Sequence, residues 1–147
     1  MFRDKPLGFT PGDKWSYSNA GYYLLGLIIE KVSRKPYAEF LRDNIFSPLG
    51  MKNTGYDDSR TLIRNRASGY KWTGTSFIRD SCTNRPLSYS SGGLYSTTED
   101  LLLWDKALYT DKLVSTKALA EIFTSFRDGY NKPGYGYGYG WGVGKMF

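Results

Sequence analysis

Residues 18–33 constrain the fold of this chain more than any other stretch. Ser18 or Asn19 is suited to N-cap a helix, and Tyr22, Leu24, Leu25, Leu27, Ile28, Ile29 and Val32 then make most of its faces apolar. The pattern predicts a helix running to about Ser33 and buried at the centre of the molecule. Gly26, inside that helix, costs about 1 kcal/mol relative to alanine, which suggests a close-packed neighbour at that point. Immediately upstream lies a polar loop punctuated by Pro6, Gly8 and Pro11-Gly12. Tyr17 and Asn19, two apart, therefore stand at the positive end of a helix, a possible proton carrier beside an amide.

Downstream, Pro36 starts a second helix, from Tyr37 to about Ile45, with Phe40, Leu41 and Ile45 inward. Ser47-Pro48-Leu49-Gly50 is expected to end it in a turn. Residues 53–95 lack helical periodicity and are rich in Gly, Ser, Thr and Asn. Alternation through Ala67-Ser68-Gly69-Tyr70-Lys71-Trp72 and Ser76-Phe77-Ile78-Arg79 predicts a hairpin turning at Thr73-Gly74-Thr75. Ser96-Thr97-Thr98-Glu99 has capping-box spacing and opens a third helix to about Tyr109, with Leu101, Leu102, Trp104 and Leu108 apolar. Ser115 or Thr116 begins a fourth, ending near Phe126. The tail from Gly134 to Gly144 alternates glycine with aromatics and reads as a strand whose sheet partners lie outside the chain. No repeat of 20–50 residues is present, which excludes a solenoid.

Length and composition narrow the chemistry. A chain of 147 residues fits a single domain with a real core. The apolar run from Tyr22 to Ile29 is far shorter than the roughly 20 residues a membrane helix needs, and the first residues show no signal-peptide pattern. With no histidine, a Ser-His-Asp triad is impossible, and a zinc site would have to use one cysteine and carboxylates. Cys82 is the lone cysteine, so no internal disulfide forms, and it reads as a small, partly buried residue. The net charge of +6 is spread evenly, about +2 in each third of the chain, without the one-sided stripe of a nucleic-acid binder.

The run Phe9-Thr10-Pro11-Gly12-Asp13-Lys14-Trp15-Ser16-Tyr17-Ser18-Asn19-Ala20-Gly21-Tyr22-Tyr23-Leu24-Leu25-Gly26 resembles the Tyr-x-Asn region of the serine penicillin-recognising hydrolases. That branch holds class C β-lactamases, D-alanyl-D-alanine carboxypeptidases and related esterases. The resemblance continues through Pro48-Leu49-Gly50-Met51-Lys52-Asn53-Thr54-Gly55-Tyr56 and Ser91-Gly92-Gly93-Leu94-Tyr95-Ser96-Thr97-Thr98-Glu99-Asp100-Leu101. It reaches Tyr139-Gly140-Trp141-Gly142-Val143, so it covers nearly the whole chain in the family's order. It implies a mainly α (α+β) fold: the helical subdomain of the β-lactamase/transpeptidase-like fold, with a small β-hairpin and a C-terminal strand. Residues 1–147 are then one domain, the central part of a larger one.

The resemblance also implies a mechanism. Acyl transfer passes through a covalent acyl-serine and then to water. A Ser-x-x-Lys motif supplies the nucleophile, Tyr-x-Asn a proton-relaying phenol and a substrate-holding amide, and a Lys-Thr-Gly or His-x-Gly-like motif completes the site. By this analogy Tyr17 is the general acid or base and Asn19 orients the substrate. A tyrosine phenol ordinarily titrates near pH 10, and a helix N-terminus favours phenolate by only about 0.3–1 kcal/mol. Ammonium groups from the other two motifs are needed to activate it. Ser68-Gly69-Tyr70-Lys71 matches Ser-x-x-Lys in letters, but about one chance match is expected from 14 serines and 11 lysines. It also follows Tyr17 and lies in the predicted hairpin, where residues three apart face opposite ways. Trp72-Thr73-Gly74 imitates the third motif in the same hairpin. Tyr89, Ser90 and Gly92, before the third helix, are candidate substrate-binding residues, against a plain turn that feeds a capped helix.

The expectation is thus part of a serine hydrolase acting on D-alanyl peptides, β-lactams or small esters, inactive alone because the nucleophile and the third motif are absent. No cofactor, metal or nucleic acid is expected. The partner is a small-molecule or peptide substrate of the longer parent, by resemblance an extracytoplasmic or cell-envelope protein. The alternatives are a non-catalytic module binding peptidoglycan peptides, and a piece that self-associates or complements another chain.

Overall fold

The computed structural model describes residues 4–58, 60–80, 88–128 and 135–144. Cys82 and Gly134 lie outside the described residues. Contacts gather Ser18–Asp100 into one compact unit and the described residues on either side of that segment into another.

The first unit begins with α1 (Asn19–Ser33), whose N-cap is Ser18; its hydroxyl accepts the Gly21 N–H at 3.2 Å. Such a cap is worth about 1 kcal/mol. Arg34, in the left-handed region at φ 57°, ends the helix by donating its N–H to the Glu30 carbonyl. The Glu30 carboxylate in turn accepts the Tyr37 N–H at 2.7 Å, and so caps α2 (Tyr37–Leu41), whose own N-cap residue, Pro36, has no side chain to do so. The second helix does not stop before Pro48. It widens into a π turn (Arg42–Phe46) and resumes as α3 (Ser47–Leu49), ended by Gly50 at φ 75°. Pro48 has no N–H for the normal helical bond, and the widened turn accommodates it. Among the described residues of this unit, Tyr37, Leu41, Phe46, Leu49 and Met51 are the buried hydrophobics.

Two short antiparallel pairs complete it. Strand β1 (Gly55–Tyr56) pairs with β4 (Leu94–Tyr95), in register Gly55 to Tyr95. The predicted hairpin forms from β2 (Tyr70–Trp72) and β3 (Phe77–Arg79), closed by a Thr73 N–H to Ser76 carbonyl bond of 3.0 Å with Gly74 at φ 101°. Helix α4 (Thr98–Ala107) begins in this unit and continues into the other. Its capping residue is Thr97, whose hydroxyl accepts the Asp100 N–H at 3.3 Å.

In the second unit, Ser115 caps α5 (Thr116–Ile122), which ends four residues before the expected Phe126. The chain then turns into β5 (Arg127–Asp128), which pairs with β6 (Tyr135–Tyr137), and β6 pairs with β7 (Gly142–Gly144), all antiparallel. The glycine-aromatic tail is therefore not a lone strand awaiting outside partners. Gly140, at φ 85°, provides the sharp reversal that folds it back on itself. Gly138 belongs to the same turn, and a Cβ there would sit 2.3 Å from the Ile122 carbonyl oxygen.

One expectation fails clearly. Helix α1 is not buried: Leu24, Leu25, Leu27, Ile28 and Val32 are exposed, and Gly26 is its only buried residue. Among the described residues, too little chain packs against it to cover an apolar helix on all sides.

Candidate active site

Tyr17 closes the loop before α1 and is half exposed, as an accessible phenol requires. Two residues earlier, Trp15 stacks on Tyr137 of β6, ring centroids 5.2 Å apart. That contact ties the loop carrying Tyr17 to the C-terminal strands of the same unit. Ser18 is spent as the cap, and Asn19, exposed, is the first residue of the helix.

The segment around Ser90 has a different geometry. Its hydroxyl donates to the carbonyls of Tyr22 and Tyr23, at 2.7 and 3.2 Å, and so docks a short 3-10 turn (Tyr89–Ser91) onto α1. Gly26 permits the approach: a Cβ there would lie 2.2 Å from the Ser90 hydroxyl oxygen and 2.6 Å from the Tyr89 ring. Tyr89 sits at φ 37°, a strained value for an aromatic residue. Its ring is held by Tyr23 (4.8 Å), Tyr37 (5.1 Å) and Tyr56 (6.0 Å). Burial first, then the nearby Glu30 carboxylate, pushes the Tyr89 phenol well above its ordinary range. The hydroxyl is buried and feels that carboxylate without a well-formed hydrogen bond to it. Gly92 is exposed; its N–H and that of Gly93 point back to the Tyr89 carbonyl. Tyr89 and Ser90 thus come together against α1, with Gly92 at the outer end of the turn.

The hairpin look-alikes behave as strand residues. Tyr70 and Lys71 pair with Arg79 and Ile78, and the Ser68 hydroxyl accepts from Arg79 at 3.0 Å. Trp72 packs on Phe77 across the strands, and Thr73 serves the turn. Among the described residues no group of acidic or cysteine side chains is arranged to hold a metal ion. No described helix is long and apolar enough to cross a membrane.

The two remaining motifs meet through a residue that spacing did not single out. Asp100, buried, accepts the Asn53 N–H and the Thr54 hydroxyl, both at 2.7 Å. Thr54 also shares a 2.7 Å hydrogen bond with Ser96. Residues 48–56 and 91–101 are therefore one structural device, sewn by β1 and β4 and by this carboxylate. Nearby, buried Asp57 pairs with Arg66, and its N–H donates to the Gly93 carbonyl at 2.8 Å. Nothing local marks these partners, because the bonds to Asp100 span 46 and 47 residues.

Comparison with known proteins places this architecture. The family model described as beta-lactamase matches residues 1–146. A penicillin-binding protein of Bacillus subtilis (strain 168) is 35% identical over 131 residues, covering 81% of this chain and 29% of the relative. The crystal structure of a penicillin-binding protein from Bacillus halodurans superposes with a TM-score of 0.79 at 29% identity, over 97% of this chain and 44% of that one. A D-stereospecific amidohydrolase from Streptomyces sp. gives 0.77 at 30% identity, over 90% and 40%. The chain spans less than half the length of each of these proteins, and its mainly helical elements correspond to only part of their fold. The chain belongs to the beta-lactamase family, and its relatives include proteins named as penicillin-binding proteins.

Proposed function

We propose that these residues are one wall of an acyl-transferring serine hydrolase, with Tyr17 as proton carrier and Asn19 as the amide that orients the substrate. The observation that carries this reading is the placement of Tyr17: half exposed, directly before the N-cap of α1, on a loop pinned by Trp15. The serine nucleophile and its lysine, and the third motif, come from residues beyond these, since Ser68 and Lys71 belong to the hairpin region and not to one helix face. The substrate is a D-alanyl peptide, a β-lactam or a small ester. The D-stereospecific amidohydrolase among the structural relatives favours an acyl group with a D-configured centre.

The test has two parts. The 147-residue chain, incubated with excess reactive β-lactam, is expected to show no acyl adduct by intact mass. A stoichiometric adduct lost in Ser68→Ala would overturn the proposal. In the longer protein, Tyr17→Phe is expected to lower kcat by about 10²–10⁴, the usual worth of a positioned acid-base group, with KM little changed.

A second reading has an observation of its own. The uncovered apolar residues of α1 fit a chain that completes its fold with a further segment or a second copy. Tyr89, Ser90 and Gly92, in their turn against α1, would on either reading line the substrate side through backbone rather than the Ser90 hydroxyl.

A further inference from the structure

The unit formed by Ser18–Asp100 contains an open cleft of about 540 Å³ that includes none of Tyr17, Asn19, Tyr89, Ser90 or Gly92. Its charge is one-sided. Lys52, Arg64 and Arg66 line it, and no acidic side chain does so among the described residues. Arg66 is committed to buried Asp57. Lys52 and Arg64 have no carboxylate partner among the described residues. The loop between them and β2 turns at Asn65, held at φ 57°. Asn53 and Asn65 add amide groups to the same wall, and Tyr95 of β4 adds an aromatic one.

Two like charges sharing a concavity repel, and a bound dianion relieves that repulsion. Arg64 offers a planar fork of donors and Lys52 a mobile point charge, the pairing that suits phosphate oxygens. A phosphate monoester carries about −1.5 to −2 near neutral pH, matching the two unpartnered cations, where a single carboxylate matches one. The cleft is also larger than a bare phosphate and falls in the roughly 300–1,000 Å³ range of organic-ligand sites. We propose that this cleft binds a phosphate ester, with Lys52 and Arg64 on the phosphate and Tyr95 against the organic part. The ligand is a small phosphate monoester, because a phosphodiester carries one charge per phosphate and matches the two cations no better than a carboxylate does.

Calorimetric titration of the 147-residue chain with glycerol 3-phosphate tests this, with a glycerol phosphodiester and acetate as comparisons. Saturable binding of the monoester is expected, weakened at least about tenfold in the Lys52→Gln/Arg64→Gln double variant. The Lys31→Gln/Lys117→Gln double variant removes the same net charge elsewhere and should leave the affinity unchanged. Arg66 is kept, because its loss would remove the ion pair of buried Asp57. The diester, with one charge, is expected to bind more weakly than the monoester, and diester binding as tight as monoester binding would overturn the proposal. Absence of saturable binding, equal weakening in both double variants, or acetate competing as well as phosphate would overturn the proposal.

Discussion

Asp100 shows how much of this molecule rests on single side chains that no local pattern announces. It is buried, takes two hydrogen bonds from residues 46 and 47 positions earlier, and lies three residues after the Thr97 cap. A hydrogen bond to a charged acceptor is worth about 1.5–3 kcal/mol, and loss of the acceptor leaves the Asn53 N–H unpaired. Asp100→Ala is therefore expected to destabilise the chain by several times that of Glu99→Ala, which should fall within about 0.5 kcal/mol. Urea unfolding of the two variants checks the contrast. Equal effects would mean that Glu99, at the capping-box position, is the residue that matters. The sequence pattern located this helix start correctly but chose the wrong carboxylate, because capping-box spacing sees only four residues at a time. Gly26 was the opposite case. A glycine in an apolar helix announces a close neighbour by its own cost, and Ser90 and Tyr89 are that neighbour.

At the scale of elements, the hairpin and the caps of α1 and α5 were legible because alternation and capping chemistry are local. The π turn before Pro48 and the self-pairing of the tail were not, since both depend on where the chain goes next. The packing of α1, α2, β1 and the 3-10 turn creates a property that belongs to no single element: a knot of four tyrosines. Tyr89 touches Tyr23, Tyr37 and Tyr56, and Tyr37 meets Tyr56 edge-on at 6.1 Å. Burial is the first cause that raises the phenols of Tyr37, Tyr56 and Tyr89, and neighbouring tyrosines and carboxylates raise them further. A phenol raised on folding contributes stability that is fully present below the unfolded value near 10 and is lost as pH rises through the folded value. The chain should thus hold its stability up to about pH 10 and lose it above. Phenolate absorbance should show late-titrating tyrosines that ionise together with unfolding. In Tyr89→Phe the late group should shrink. If every tyrosine ionised at its ordinary pH with the fold intact, the knot would not be the buried cluster described here.

For the whole molecule, the decisive quantity is apolar surface left in water. Leu25 is 52% exposed, Ile28 54% and Val32 78%, on the helix that the sequence marks as the most apolar in the chain. Sequence alone cannot distinguish a helix buried by its own chain from one whose cover comes from elsewhere, because hydropathy records the need for burial and not the source. The relatives supply the missing term: this chain spans only 29% of the Bacillus subtilis protein and 44% of the Bacillus halodurans one. Fully burying a leucine or isoleucine side chain is worth about 1.5–3 kcal/mol, so a few such residues meeting a second copy are enough for measurable association. Sedimentation velocity over a concentration series is expected to show the 147-residue chain self-associating through this helix. Leu25→Gln/Ile28→Gln should weaken that association by about a hundredfold, while circular dichroism retains the helix, because both side chains already face water. If the double variant associates as tightly as the parent chain, α1 is not the contact. If the longer protein stays monomeric where the 147 residues associate, further chain covers the same apolar face that the second copy covers here.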